Sequence, residues 1–319
     1  MLENKLWKRK CTIKIQGEGN GNNDSEIDVS NLKCVFNIQT DLNNISTCAF
    51  EIYNVNSATE NFIVKNGYGL IISAGYEDER FGAIFEGTIL QAITTIEEEN
   101  FKISILAMCG DSTMEQNFIK LSCNSVKTRD QLKLMGDNAQ KPVDINISSE
   151  VEDNELPRGK TYFNTVSKYL KDITRRINNV FYKLVKEQTS NEANSPKAKI
   201  EIKGIDENTE TIKAVEISPE TGLIGVPQVS DEGVVIRTLL DPRFIIDGQV
   251  KLKNSLIQRN LIAPNNGSYY QQYANISETG DYRIMFVRHT GDTYGDTWIS
   301  EIICKGPNSM FVDGRGVIR

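Results

Sequence analysis

The sequence predicts a mainly β protein with a smaller α+β part: a β-barrel region at each end of the chain and an α+β region between them. Three observations carry this expectation. Runs of strand length recur with polar turns between them over residues 1–112 and again over 204–319, the spacing of a closed meander or sandwich. The one strong helical pattern falls in residues 113–203. The third observation is Pro219–Leu252, PETGLIGVPQVSDEGVVIRTLLDPRFIIDGQVKL. In it, turn signals at Pro219–Gly222, Gly225–Pro227 and Asp231–Gly233 frame a β-branched run, Val234–Leu240, that Asp241-Pro242 ends because proline has no N–H for a ladder.

In chain order, Cys11–Ile15 alternates as a strand before a Gly/Asn-rich turn over Gly17–Asp24. Leu32–Gln39 places Cys34, Phe36 and Ile38 on one face. Thr47–Tyr53 is the next strand, Asn54–Thr59 breaks it, and Glu60–Val64 forms a short helical turn. Tyr68–Tyr76, Ala83–Thr95 and Phe101–Cys109 complete the first region. Glu77–Arg80 is expected at a solvated hairpin tip, and Glu97–Asn100 at a polar turn. In the middle region Thr128 is the expected N-cap of a helix over Thr128–Asn138, and Pro142–Ser148 is a strand. Phe163, Val166, Tyr169, Leu170, Ile173 and Ile177 form a stripe at 3.6-residue spacing, so Phe163–Ile177 is expected to be the longest helix. Lys168, Lys171, Arg175 and Arg176 lie on its other faces, the pattern of a solvated basic surface. Val180–Lys186 and Lys199–Lys203 form a hairpin around the polar turn Thr189–Pro196. In the last region Ile212–Ile217, Val234–Leu240, Phe244–Ile246, Val250–Leu252, Tyr282–His289 and Trp298–Cys304 are strands. Leu256–Gly267 leaves the strand pattern, Gly291–Asp296 is a hairpin loop, and Met310–Arg319 is a tail or arm.

The 319 residues are 39% hydrophobic and 25% charged, enough to build packed cores. A net charge of -7 argues against a general nucleic-acid binder. No apolar run has the length of a membrane span, and Met1–Lys10 lacks the apolar segment of a signal peptide. Folding in a cytoplasm follows, and the six cysteines, with no C-x-x-C pair among them, read as reduced and partly buried. His289 is the only histidine, which disfavours a zinc site and a serine triad. No phosphate loop and no G-x-S-x-G occurs, and no cofactor motif is present. Asp292 and Asp296 are explained by turn chemistry more readily than by a cation.

The order of several short motifs resembles the baseplate hub proteins of contractile-tailed bacteriophages. Phe50–Asn54, Gly75-Tyr76 and Ile84–Gly87 are similar to the first tube domain of that family, and Leu156–Lys160 to its central segment. The strongest pieces are Thr221–Pro227, Gly233 and Leu239–Pro242, whose signature residues are Gly222, Leu223, Ile224, Gly225, Pro227, Gly233, Leu239, Leu240 and Pro242. Gly280–His289, Gly291-Asp292 and Trp298 resemble the closing hairpin of the second tube domain. The polar stretch Gln188–Pro196 matches no part of the family.

The resemblance implies a structural protein of the virion tail with no enzymatic activity and no cofactor. It implies tube-type β-barrel domains at 1–112 and 204–319 flanking an α+β domain at 113–203. Three copies would form a ring of six similar barrels joining the tail tube to the central spike, in contact with wedge proteins and a tape measure protein. DNA would pass through without specific binding, and an acidic channel wall, with Glu97, Glu98, Glu99, Asp231 and Glu232 as candidates, would ease its passage. Two other readings remain: a tail-associated glycan hydrolase, and a carbohydrate-binding β protein using Tyr269, Tyr270, Tyr273 and Trp298.

Overall fold

The structure is a computed structural model. It describes residues 8–17, 26–42, 46–77, 80–97, 99–109, 117–124, 127–140, 143–149, 151, 153–155, 158–174, 180–185, 199–204, 214–230, 233–258 and 276–306. Several expectations lie outside the described residues: most of the Gly17–Asp24 turn, Pro157, Ile177, the Thr189–Pro196 turn, Tyr269, Tyr270, Tyr273 and the tail from Met310.

The chain is mainly β. The first compact unit comprises residues 1–41, 46–109 and 210–319. Its early strands are β1 (Arg9–Gly17), β2 (Glu26–Asp28), β3 (Cys34–Asp41) and β4 (Thr47–Tyr53). Helix α1 (Ser57–Asn66) follows, capped by Asn56, whose side chain accepts from the Thr59 N–H at 2.8 Å. Then come β5 (Gly67–Tyr76), β6 (Arg80–Glu97) and β7 (Asn100–Met108).

The second unit holds residues 42–45 and 110–209. It contains β8 (Phe118–Cys123), α2 (Thr128–Asn138), β9 (Asp144–Ile147), β10 (Lys160–Thr165), α3 (Val166–Thr174), β11 (Val180–Val185) and β12 (Lys199–Gly204). Its core is built around Leu132, Met135, Val166, Tyr169 and Leu170. The chain then returns to the first unit as β13 (Val215–Ile217), β14 (Leu223–Val229), β15 (Val234–Leu239), β16 (Gln249–Leu252), β17 (Asp281–Asp292) and β18 (Trp298–Lys305).

The first unit is organised by one 13-stranded sheet, ordered β14-β15-β18-β17-β3-β4-β7-β6-β5-β1-β2, with β16 beside β17 and β13 beside β16. Strand β17 is where the two ends of the chain meet. One edge pairs with β18, whereas the other pairs with β16 over Asp281–Arg283 and with β3 over Phe286–Asp292. A register shift between Ile284 and Phe286 marks the change of partner, the usual place for a bulge. Two cores lie under this sheet. One collects Ile13, Phe36, Phe50, Ile72 and Ile105 from the early strands, and it also takes Leu240 and Trp298 from the late ones. The other holds Val234, Ile236, Phe244, Val250 and Ile284.

The join at β3 and β17 has a close fit. Phe36, Gly291 and Trp298 stand in one row across β3, β17 and β18. The rings of Phe36 and Trp298 meet edge to face at 5.6 Å, over the space that the glycine leaves. A Cβ at Gly291 would lie 2.2 Å from Phe36 Cζ.

Four expectations need correction. The segment Lys160–Thr165 is not helical. It is rich in β-branched and aromatic residues and pairs along its length with β8, so the helix starts only at Val166 and the exposed Phe163 is a strand residue. The described part of that helix runs over Val166–Thr174, and Arg175, Arg176 and Ile177 lie outside the described residues. Thr128 is not the N-cap of α2: Lys127 holds that position, the Thr128 hydroxyl donates to the Asn154 carbonyl at 2.9 Å, and Asp153 accepts from the Arg129 N–H. Phe244–Ile246 is a turn rather than a strand. It is held by the Phe244 N–H on the Asp241 carbonyl and by Asp247 at φ 71°. Trp298 is buried in the core rather than presented as a platform.

Because both rings over Gly291 are fully enclosed, overpacking there has no outlet. Gly291→Ala is expected to cost about 2–3 kcal/mol, read as a lower urea midpoint at unchanged slope. An unchanged midpoint would mean that the Phe36 ring is free to move.

Candidate functional site

The signature residues from Gly222 to Pro242 form the corner at which the late strands turn into the core of the early ones. Pro219–Thr221 is a single 3₁₀ turn closed by a capping box, with Thr221 Oγ1 accepting from the Ser218 N–H at 2.8 Å. Gly222 follows at φ 108° and ψ 21°, a conformation that side chains resist, and its carbonyl takes the Leu239 N–H at 2.8 Å. Leu223 and Ile224 pair with Thr238 and Arg237. The register then shifts across Gly225, Val226 and Pro227 before Gln228 and Val229 pair with Val235 and Val234. The edge of β14 is covered there, since Gln258 donates to the Pro227 carbonyl at 2.8 Å and accepts from Val229. Gly233, at φ 147°, closes the turn into β15. Leu240 sits in the first core, and Pro242 packs over Gly82 of β6.

Asp241, expected from the sequence only to end a strand, is the centre of this corner. Its side chain is 5% exposed and receives Arg243 through Nε and Nη2 at 2.6–3.1 Å, with Arg80 of β6 at 3.8 Å. Arg80 also donates to the Thr221 carbonyl at 2.8 Å, so β6 is tied to both ends of the signature. The Asp241 N–H donates to Ser300 Oγ at 3.1 Å, and Ser300 meets His289 Nδ1 at 2.8 Å. Ser300 Oγ, which accepts that amide, keeps both a proton and a second lone pair with which to meet Nδ1. The ring also interacts with the Phe244 backbone. Burial lowers the His289 pKa to about 4, against the opposing pull of Asp241 and Phe244. His289 is thus a neutral, enclosed residue of a polar row, His289–Ser300–Thr238, that ends on Ile38 under the sheet.

The neighbouring residues point the other way, onto the open face of the same sheet. Gln39, Arg288, Glu301 and Arg237 form one row across β3, β17, β18 and β15. Glu301 bridges the two arginines, at 2.7 Å to Arg237 Nε and 3.5 Å to Arg288 Nη1. Further along, Lys102 of β7 bridges Glu97 at 2.7 Å and Glu51 at 3.3 Å. Glu97 and Glu51 hold its ammonium well above the usual lysine range. The two triplets carry opposite net charge and cancel. Of the acids expected at a channel wall, Glu97 and Glu99 flank the β6–β7 turn, and Glu98, Asp231 and Glu232 lie outside the described residues.

Other candidates have structural roles. Asp292 Oδ1 accepts from the N–H groups of Tyr294 and Gly295 as an Asx turn, and the Asp296 carbonyl accepts from Arg9. Among the described residues no cluster of ligating side chains could hold a metal ion, and no helix is long and apolar enough to cross a membrane. Burial pushes the Cys11 thiol up to about 12 and the Cys34, Cys48 and Cys304 thiols up as well, which keeps them protonated and unreactive.

Comparison with known proteins settles the family. The family model described as baseplate hub gp41 matches residues 10–269. The chain belongs to the baseplate hub gp41 family. This hub protein is a structural component of the tail, located at the virion baseplate. No curated protein matches its sequence. Solved structures share the fold. A tail protein of Neisseria meningitidis superposes with a TM-score of 0.55 at 8% identity, over 95% of the hub chain and 98% of its own. The 43 kDa tail protein of prophage MuSo2 from Shewanella oneidensis gives 0.54 at 9%, over 94% and 98%. The E. coli c3393 protein, a type VI secretion component, gives 0.53 at 7%, over 90% and 76%.

The corner makes three measurable claims. His289 is held neutral in the fold but titrates near 6.5 when unfolded. Its folded pKa is the lower one, so stability is level above about pH 6.5 and falls by about 3 kcal/mol as the pH drops toward 4. Denaturant midpoints across that range should show the fall, and His289→Gln should remove that share of it. Asp241→Asn leaves the mostly buried Arg80 without its carboxylate, at a cost of about 3 kcal/mol. Gly222→Val lowers the folded yield, because φ 108° is closed to valine. A variant with wild-type yield and melting temperature would remove Gly222 from the corner's requirements.

Proposed function

We propose that this hub protein forms a three-fold ring that joins the tail tube to the central spike and leaves a channel for DNA. The observation that carries the reading is the β3–β17 ladder, which makes one sheet from the strands of both chain ends. On this reading residues 1–112 and 204–319 are two tube-type β-barrel domains flanking the α+β domain at 113–203. Three copies supply six such barrels, a number compatible with a six-fold tube above and a three-fold spike below.

The open face of the sheet, with its paired charges, lines the channel. The two triplets add no net charge to the acidic wall expected of the channel. They also let a polyanion pass, because their cations are held by acids rather than offered to phosphate. The signature residues Gly222, Leu223, Ile224, Gly225, Pro227, Gly233, Leu239, Leu240 and Pro242 set the geometry of the second barrel and its seam with the first. The partners are the tail tube protein, the spike, wedge proteins and a tape measure protein, with assembly in the host cytoplasm. The protein acts by geometry, without catalysis.

The test is the mass of the purified full chain by sedimentation, with its symmetry in electron images. A trimer with three-fold symmetry and an open channel is expected. A monomer at concentrations where tail proteins assemble, or a closed particle, would overturn the reading.

A further inference from the structure

The structure assigns Glu301 a specific role as the internal counter-ion that keeps Arg237 and Arg288 from binding a phosphate backbone on the open face of the sheet. The inference rests on the channel reading above and names the residue on which free passage depends.

The geometry is that of a clamp. Glu301 stands on β18 between β15 and β17, directly opposite Arg237 on one side and Arg288 on the other. Each carboxylate oxygen serves a different arginine, Oε2 for Arg237 Nε and Oε1 for Arg288 Nη1. The carboxylate is only 17% exposed, whereas Arg237 is 64% exposed and Arg288 is 39% exposed. The acid is therefore sheltered between two cations that reach toward solvent. Neither arginine is saturated by it. Arg288 Nε is buried without a hydrogen-bond partner among the described residues, and the Arg288 guanidinium lies 5.5 Å over the Phe286 ring, which holds it in place.

Arginine presents five donors in a planar fork suited to phosphate. Two such forks in one row, on the strands either side of β18, would make a phosphate site if the carboxylate between them were neutral. With Glu301 ionised the triplet carries a single positive charge, offset by the Glu97–Lys102–Glu51 triplet of the same face. Without it the face becomes cationic at the point where two forks already lie side by side.

The experiment uses the full chain and a short fluorescein-labelled duplex DNA, with binding read by anisotropy at several salt concentrations. Wild-type protein is expected to bind at background level. Glu301→Gln, which keeps the shape and removes the charge, is expected to bind at low salt. Its affinity should fall about tenfold over a fourfold rise in salt for each protomer engaged, the slope of two new phosphate contacts. Adding Arg237→Gln and Arg288→Gln to that variant should abolish the gain. Glu301→Ala serves as the second variant if Glu301→Gln does not melt as wild type does.

A folded Glu301→Gln protein that binds no better than wild type overturns the inference. So does a triple variant that still binds, since the contact would then lie elsewhere, and so does wild-type protein that binds as tightly as the variant. The mass of the same samples separates this result from the channel reading. A trimer without the gain leaves the ring and removes the clamp, whereas a monomer with the gain leaves the clamp and removes the ring.

Discussion

The ladder between Cys34–Asp41 and Phe286–Asp292 is the interaction on which the rest of the first unit depends. Strands separated by some two hundred and fifty residues share it in an unbroken register of seven residue pairs, from Phe286 opposite Asp41 to Asp292 opposite Val35. A shift of one residue would turn Phe36 and Ile38 to the open face and bring Val35 and Asn37 inward. The Phe36–Gly291–Trp298 row resists such a shift, since only glycine fits beneath the two rings. The apolar alternation and this one gap thus specify the same register.

Polar groups divide between the two faces of the sheet by a simple rule. Those turned inward are neutral or fully paired: His289 with Ser300, and Asp241 with Arg243 and Arg80. Turned outward are charges that pair, as Lys14 does with Glu26, and two sets of three in which one member bridges two of opposite sign. Inside, an unpaired charge would cost several kcal/mol. Outside, water would tolerate it, so the pairing there is not required for folding and calls for a reason in what the protein does.

Local features are legible in the sequence where one physical effect dominates. Alternation in Cys34–Gln39 and Trp298–Cys304 places Phe36, Ile38, Trp298 and Ile302 on buried faces, and the turn signals at Gly222 and Gly233 correspond to positive φ. Legibility is lost where two effects compete. Phe163 and Tyr162 fit a helical stripe and a strand equally, and the availability of β8 as a partner decides for the strand. Asp241 reads as punctuation before a proline. Its pairing with Arg80 joins residues far apart in sequence, and no local pattern announces it. The same holds for Glu301, whose two arginines come from different strands. The order of the motifs identifies the family although each motif is short, because a shared fold constrains spacing more than composition.

The long-range ladder has a consequence for synthesis. A ribosome makes β3 some two hundred and fifty residues before β17, so the edge of β3 stays unpaired while the chain between them is translated. During that time the early strands also lack Leu240 and Trp298, two members of their own core. An incomplete chain therefore displays both an open strand edge and an unfilled apolar surface, the combination that drives aggregation. A chain cut short of Gly291 keeps both features for good, because neither the partner strand of β3 nor Trp298 is ever made in full.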